Sequence, residues 1–158
     1  MKELLLFTDG SVNVQTKIGF GASLIVKNSE QSIDDLKKFV KIKRFENTSS
    51  SKLELQTLLW ALKEIGTSEQ KVIIYTDSQN IIGLPGRRVR LELNDYRSKK
   101  GVSIKNYKLY QEFYRINDGL DCEFVKVRGH QQSRQKDYIH KIFTIVDRAS
   151  RKALRGDK

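Results

Sequence analysis

Polar and apolar positions in this chain fall into short runs whose period changes along its length. Leu4, Leu5, Leu6 and Phe7 form a continuous apolar run that breaks at Thr8 and Asp9. That pattern predicts a short buried strand over residues 3–8. Gly10 and Ser11 supply a turn signal, so a turn over 10–17 is expected before a second strand, GFGASLIV, at 19–26. In KKFVKIKRF, residues 37–45, Phe39, Ile42 and Phe45 stand among lysines. This predicts a strand at a sheet edge, where lysines discourage mispairing. The period then lengthens. Leu53, Leu55, Leu58, Leu59, Leu62 and Ile65 approximate helical spacing behind a Ser/Thr-rich start, and Gly66 is a plausible stop.

The second half alternates in the same way. Residues 72–77 read as a buried strand that again runs into Thr76-Asp77-Ser78. A short helix is expected from about Ser78, ending near Gly83-Leu84-Pro85-Gly86, the strongest breaker in the chain. From Arg87 to about Ser103 the pattern is weak and basic. Residues 104–116 look helical, 121–127 read as a strand, and a last helix covers roughly 137–155 with Ile139, Ile142, Phe143, Val146, Ala149 and Ala153 on one side. Three strands followed by strands alternating with helices predict one mixed α/β sheet over residues 1–158 and no second domain.

Composition narrows the class. At 158 residues the chain can bury a sizeable core without staples. No apolar run approaches the length of a membrane span, and the run after Lys2 is too short for a secretory signal core. The single cysteine, Cys122, excludes an intrachain disulfide and suggests a reducing, cytoplasmic compartment. Net charge is +11, which favours a polyanionic partner, nucleic acid first. The charge is concentrated: residues 83–108 carry net +6 and residues 126–158 net +7.

Against that basic background, a few acids sit beside apolar positions. Asp9 and Asp77 end candidate core strands, Glu54 lies between Leu53 and Leu55, and Asp147 follows Val146 in the last helix. In an open α/β sheet, sites form outside the carboxyl ends of neighbouring strands. Parallel, adjacent strands would bring Asp9 and Asp77 together there. Two unit charges about 4 Å apart repel by roughly 4 kcal/mol at an effective dielectric near 20, so a convergent cluster needs cations or raised pKa values. Oxygen-only ligands select hard ions. Taken singly, each acid also has an ordinary reading: Asp9 as a turn acid, Asp77 before a helix cap, Glu54 as surface, Asp147 paired with Arg151.

The motifs FTDGSV, SSSKLELQTLLWAL, IYTDSQNI, FVKVRGHQ and VDRASRKAL occur in an order that resembles the type 1 ribonuclease H family over nearly the whole chain. The resemblance implies a ribonuclease H-like α/β fold: a five-stranded mixed sheet, order 3-2-1-4-5, flanked by helices on both faces. It implies metal-dependent endonucleolytic cleavage of the RNA strand of an RNA–DNA hybrid, leaving 5′-phosphate and 3′-hydroxyl ends. The cofactor implied is Mg²⁺, with Mn²⁺ as the alternative, two ions with substrate bound. Asp9 would bridge both ions, Glu54 and Asp77 complete one site, and Asp147 hold the other. His130 would assist proton transfer or product departure. Asp137 is a rival for the fourth acid, and His140 reads as ordinary helix surface.

The same resemblance implies substrate contacts. Ser49, Ser50 and Ser51 stand where relatives carry groove-contacting asparagines, Gln79 matches a groove-contacting glutamine, and Asn13, Thr48 and Ser49 fall at a DNA phosphate pocket. Residues 83–103 take the place of a basic, substrate-gripping protrusion, with Arg87, Arg88, Arg90, Arg97, Lys99 and Lys100 as phosphate contacts and Tyr96 as either a stacking platform or a half-buried tyrosine. A monomer is expected. The alternatives are a non-catalytic hybrid- or duplex-binding module and another nuclease of the same superfamily.

Overall fold

The computed structural model describes residues 3–27, 31–128 and 137–157. In these segments the chain forms β1 (Leu4–Asn13), β2 (Ile18–Val26), α1 (Ile33–Lys37), β3 (Lys41–Phe45), α2 (Ser50–Ile65) and β4 (Val72–Thr76). Then follow α3 (Gln79–Ile82), α4 (Leu84–Leu93), α5 (Tyr107–Asp118), β5 (Cys122–Lys126) and α6 (Tyr138–Gly156). The strands make one five-stranded sheet in the order β3-β2-β1-β4-β5. β1 pairs antiparallel with β2 and parallel with β4, and β4 pairs parallel with β5.

Each face of the sheet carries its own core, because successive side chains of a strand point to opposite faces. Leu4 and Leu6 of β1, with Val72 and Ile74 of β4, pack against Leu55, Leu58 and Leu62 of α2 and Phe113 of α5. Phe7 points the other way, stacks on Tyr75 at 4.7 Å between ring centroids, and joins Leu24, Ile142 and Val146 in the core under α6. Full burial of such a Leu, Ile or Phe side chain stabilises by about 1.5–3 kcal/mol. Covering both faces explains why β4 reads as an unbroken apolar run.

Three elements differ from the sequence expectation. β1 does not stop at Thr8; it runs on to Asn13 as one arm of a hairpin whose true turn lies at 14–17. Gly10 supplies close approach instead of a turn: a Cβ there would stand 2.9 Å from Leu53 Cδ2 on α2. The turn is held by the Asn13 carboxamide, whose Oδ1 accepts from the Gln15 and Thr16 N–H groups. The edge strand begins at Lys41, and before it stands a short helix, α1, capped by Ser32. Finally, Leu84-Pro85-Gly86 opens a helix where a break was expected. Pro85 falls in the first turn of α4, where its missing N–H is one the helix would not use.

Candidate active site

The parallel pairing of β1 with β4 ends at Phe7 and Tyr75. Carried two positions further, the same register sets Asp9 level with Asp77, the residue that follows β4. Here β1 outruns its parallel neighbour, and the two aspartates flank the opening. Helix α6 crosses this end of β1 and is pinned there by a 2.9 Å bond between the Ser150 and Ser11 hydroxyls. That contact presents Asp147, one turn earlier, to Asp9. On the opposite face, α2 lies tight against β2: a Cβ on Gly21 would fall 2.2 Å from Thr57 Oγ1. The close approach brings Glu54, one turn before Thr57, to the same edge.

The four acids meet in pairs. The Asp9 carboxyl is pushed up from 3.8 to about 9, first by burial, then by donating its proton to Asp147 and by the charges of Asp77 and Asp147, against a weaker opposing hydrogen bond from the Gly10 N–H. Glu54 is raised by burial; the Ser78 hydroxyl, donating to it, works against this, and Asp77 reinforces it. Asp147 also accepts from Arg151 Nε at 3.0 Å. Asp77 is exposed, on the solvent side of the cluster. Between them is a cleft of only about 10 Å³, lined by Thr8, Asp9, Glu54, Thr57, Thr76 and Asp77. Among the described residues, no three His, Cys, Asp or Glu side chains are arranged to enclose an ion. The acids form a chain of neighbours, Asp147–Asp9–Asp77–Glu54, and not a preformed cage.

Asp137, the rival fourth acid, is occupied elsewhere. It is the N-cap of α6, accepting from the His140 N–H at 2.9 Å and lying 2.7 Å from its ring Nδ1; these contacts lower its pKa. It stands nearly three helical turns from Asp147. His130 lies outside the described residues.

The expected substrate contacts divide into two groups. Asn13, Thr48, Ser49, Ser50 and Ser51 gather where the β1–β2 turn meets the start of α2, joined by the bond from the Thr48 N–H to the Lys17 carbonyl at 2.9 Å. Ser49 caps α2, accepting from the Lys52 N–H, while Ser50 and Ser51 are exposed. Gln79 is exposed at the start of α3 and accepts from Lys126 Nζ at 2.9 Å. In the basic segment, two of the arginines have partners within the protein. Arg87 donates to the Asn80 carbonyl at 2.8 Å and to its side chain at 3.0 Å. Arg88 grips both oxygens of Asp118 on α5, at 2.5 and 2.8 Å, bonds Glu92, and lies over the Tyr114 ring. Both arginines therefore fasten α4 to its neighbours. Arg90, Lys99 and Lys100 face solvent. Tyr96 is 7% exposed and buried in the core, so it offers no stacking platform.

Sequence reasoning missed the hydroxyls that position the acids. Ser78 was legible only as a helix cap, and the Ser11–Ser150 contact joins residues 139 positions apart, for which no local signal exists.

Comparison with known proteins bears on the family and the fold. The RNase H family model matches residues 1–153. Among similar curated proteins, Ribonuclease H of Acetivibrio thermocellus is 25% identical, covering 91% of this chain and 94% of that protein. Ribonuclease HI of Helicobacter pylori is 28% identical, covering 90% and 91%. Among solved structures, a foamy viral protease-reverse transcriptase in complex with dsDNA superposes with a TM-score of 0.68 at 11% identity, over 94% of each chain, a likeness of fold.

Proposed function

This chain belongs to the RNase H family and is of the ribonuclease HI type, and from that premise we propose that it is a divalent-metal-dependent endonuclease that cuts the RNA strand of RNA–DNA hybrids. The products would carry 5′-phosphate and 3′-hydroxyl ends, and the enzyme would act as a cytoplasmic monomer. The observation that carries this reading is the meeting of Asp9 with Asp147 and Asp77 where β1 outruns β4.

The donor set fits a hard divalent cation. It consists of carboxylates alone, and Asp9 is driven to keep its proton by burial, by its hydrogen bond to Asp147 and by the charges of Asp77 and Asp147. Because the acids stand in pairs, substrate phosphate and water would complete the coordination, as is usual for Mg²⁺. Asp9 would serve both ion positions, with Glu54 and Asp77 at one and Asp147 at the other. Bound there, two cations supply the Lewis acidity that phosphodiester hydrolysis requires.

The remaining work falls to the chain's own residues. The Ser78 hydroxyl holds Glu54 at the cleft, from where its carboxylate can meet the 2′-hydroxyl that distinguishes RNA from DNA. Ser49, Ser50 and Ser51 stand at the start of α2, where free N–H groups and hydroxyls suit backbone and groove contacts. Arg90, Lys99 and Lys100 supply phosphate affinity without sequence choice. His130 assists proton transfer or product departure.

The test is incubation with a 5′-labelled RNA–DNA hybrid in Mg²⁺, in Mn²⁺ and in EDTA, beside double-stranded RNA and branched DNA. Cleavage of the hybrid's RNA strand that stops with EDTA is the expected result. No cleavage of hybrid with either ion, or faster cleavage of branched DNA, would overturn the reading.

A further inference from the structure

Away from the acids, an open groove of about 420 Å³ lies on the far side of α6, walled by α1. Its floor is aliphatic: Ile33 and Val40 from the α1 segment, Ile145 and Ala149 from α6. Its charged lining is of one sign, with Lys37 on α1 and Lys141, Arg148 and Lys152 on α6. No acidic side chain lines it. Lys37 reaches the exposed Asp34 at 3.5 Å, and no ion pair is present at Lys141, Arg148 or Lys152 among the described residues.

The α6 residues follow helical logic. Lys141, Ile145, Arg148, Ala149 and Lys152 recur at spacings of three and four, so cations and aliphatic side chains interleave along one stripe. The eleven steps from Lys141 to Lys152, at 1.5 Å rise each, give a stripe of about 16 Å, the length of three helical turns. The floor is the outer margin of the core under α6, where Ile33, Val40, Ile145 and Ala149 border the groove between the cations. A ligand carrying acids and aliphatic groups together uses both. Helix-in-groove recognition presents that combination at matching spacing.

We propose that the α1–α6 groove is a docking site for an acidic amphipathic helix of a partner protein, seated with its aliphatic side chains on Ile33, Val40, Ile145 and Ala149 and its carboxylates against Lys37, Lys141, Arg148 and Lys152. The groove lies on the side of α6 away from β1, whereas Asp147 turns toward β1 and Asp9. A docked helix therefore leaves the acid cluster open. The inference stands apart from the proposed nuclease chemistry.

The experiment uses the full chain and a fluorescein-labelled 14-residue helical peptide bearing four Glu and three Leu on one face. A second peptide has each Leu replaced by Ser, and a 14-base-pair DNA duplex is the third probe. Binding is read by anisotropy, and its location by NMR shift changes at α1 and α6. The acidic-aliphatic peptide binds at the groove; the serine peptide binds at least roughly tenfold more weakly. The exposed double substitution Lys141→Glu with Lys152→Glu weakens the first peptide roughly tenfold or more, with the circular dichroism spectrum unchanged. Equal affinity for the two peptides, shifts away from α1 and α6, or unaltered peptide binding by the double variant overturns the proposal. So does a larger loss for the duplex than for the peptide, which would make the groove a nucleic-acid surface.

Discussion

Replacing Asp9 by Asn should remove activity and, in the absence of divalent ions, make the protein more stable. The Asp9 carboxyl titrates near 3.8 when unperturbed and at about 9 in the fold, raised chiefly by burial and then by Asp147 and Asp77. Between those values the folded protein holds a proton that the unfolded chain has released. Stability then falls as pH rises, by about 1.4 kcal/mol per pH unit. The favourable contribution is complete below pH 3.8 and is lost progressively toward pH 9. At pH 7 the accumulated cost is about 4 kcal/mol, a sizeable share of the 5–15 kcal/mol typical of a domain. Asp9 is only half-buried, so this figure is a ceiling, and a gap of about 1 kcal/mol or more is the working expectation. Asn cannot ionise, and its amide can donate to Asp147 as the protonated carboxyl does. Urea unfolding in EDTA at pH 4, 5.5, 7 and 8 measures the difference between the two proteins, in which most other titrations cancel. The variant's advantage should be near zero at pH 4, grow to pH 8, and shrink when millimolar Mg²⁺ is added. A variant less stable than the parent at pH 7 without metal, or a gap indifferent to pH, would refute the account of the cluster.

Four further outcomes are expected. Asp147→Asn should lower hybrid cleavage by about a hundredfold or more, whereas Asp137→Ala should keep most activity and cost about 1 kcal/mol through loss of the α6 cap; steady-state rates and urea midpoints separate the two. Gly21→Ala should destabilise by about 1–3 kcal/mol and slow cleavage, because the new Cβ meets Thr57 2.2 Å away and displaces the helix that carries Glu54. Adding Thr57→Ala should restore much of that loss, since the Thr57 hydroxyl has no hydrogen-bond partner among the described residues; lack of rescue by unfolding assay would count against the steric argument. Arg88→Ala should lower the melting temperature yet leave the salt dependence of hybrid affinity unchanged, while the triple replacement of Arg90, Lys99 and Lys100 by Ala should flatten that dependence by about two to three counterions.

The basic segment shows how far local reading reaches. Its net charge was plain in the sequence, but which arginines find partners within the fold was not. Arg88 is taken by Asp118, thirty residues away, and Arg87 by Asn80. Tyr96, a plausible platform by position, is buried under α4 and α5. The break expected at Leu84-Pro85-Gly86 failed for a different reason. Proline punctuates a helix in its interior but opens one at its first turn, and composition does not distinguish the two.

By itself the sequence determined the elements whose cause is local. Apolar runs and helical spacing marked β4, α2 and α6, since burial of one face or two imposes those periods. The order of the acid-bearing motifs carried the family. What only the tertiary structure decided was coincidence in space. The parallel register sets Asp9 beside Asp77, the Ser11–Ser150 contact brings Asp147 to them, and Gly21 lets α2 deliver Glu54. The same assembly left Asp137 at a helix cap. Each of these depends on contacts between residues far apart in the chain, and a one-dimensional pattern does not encode a distance across a sheet.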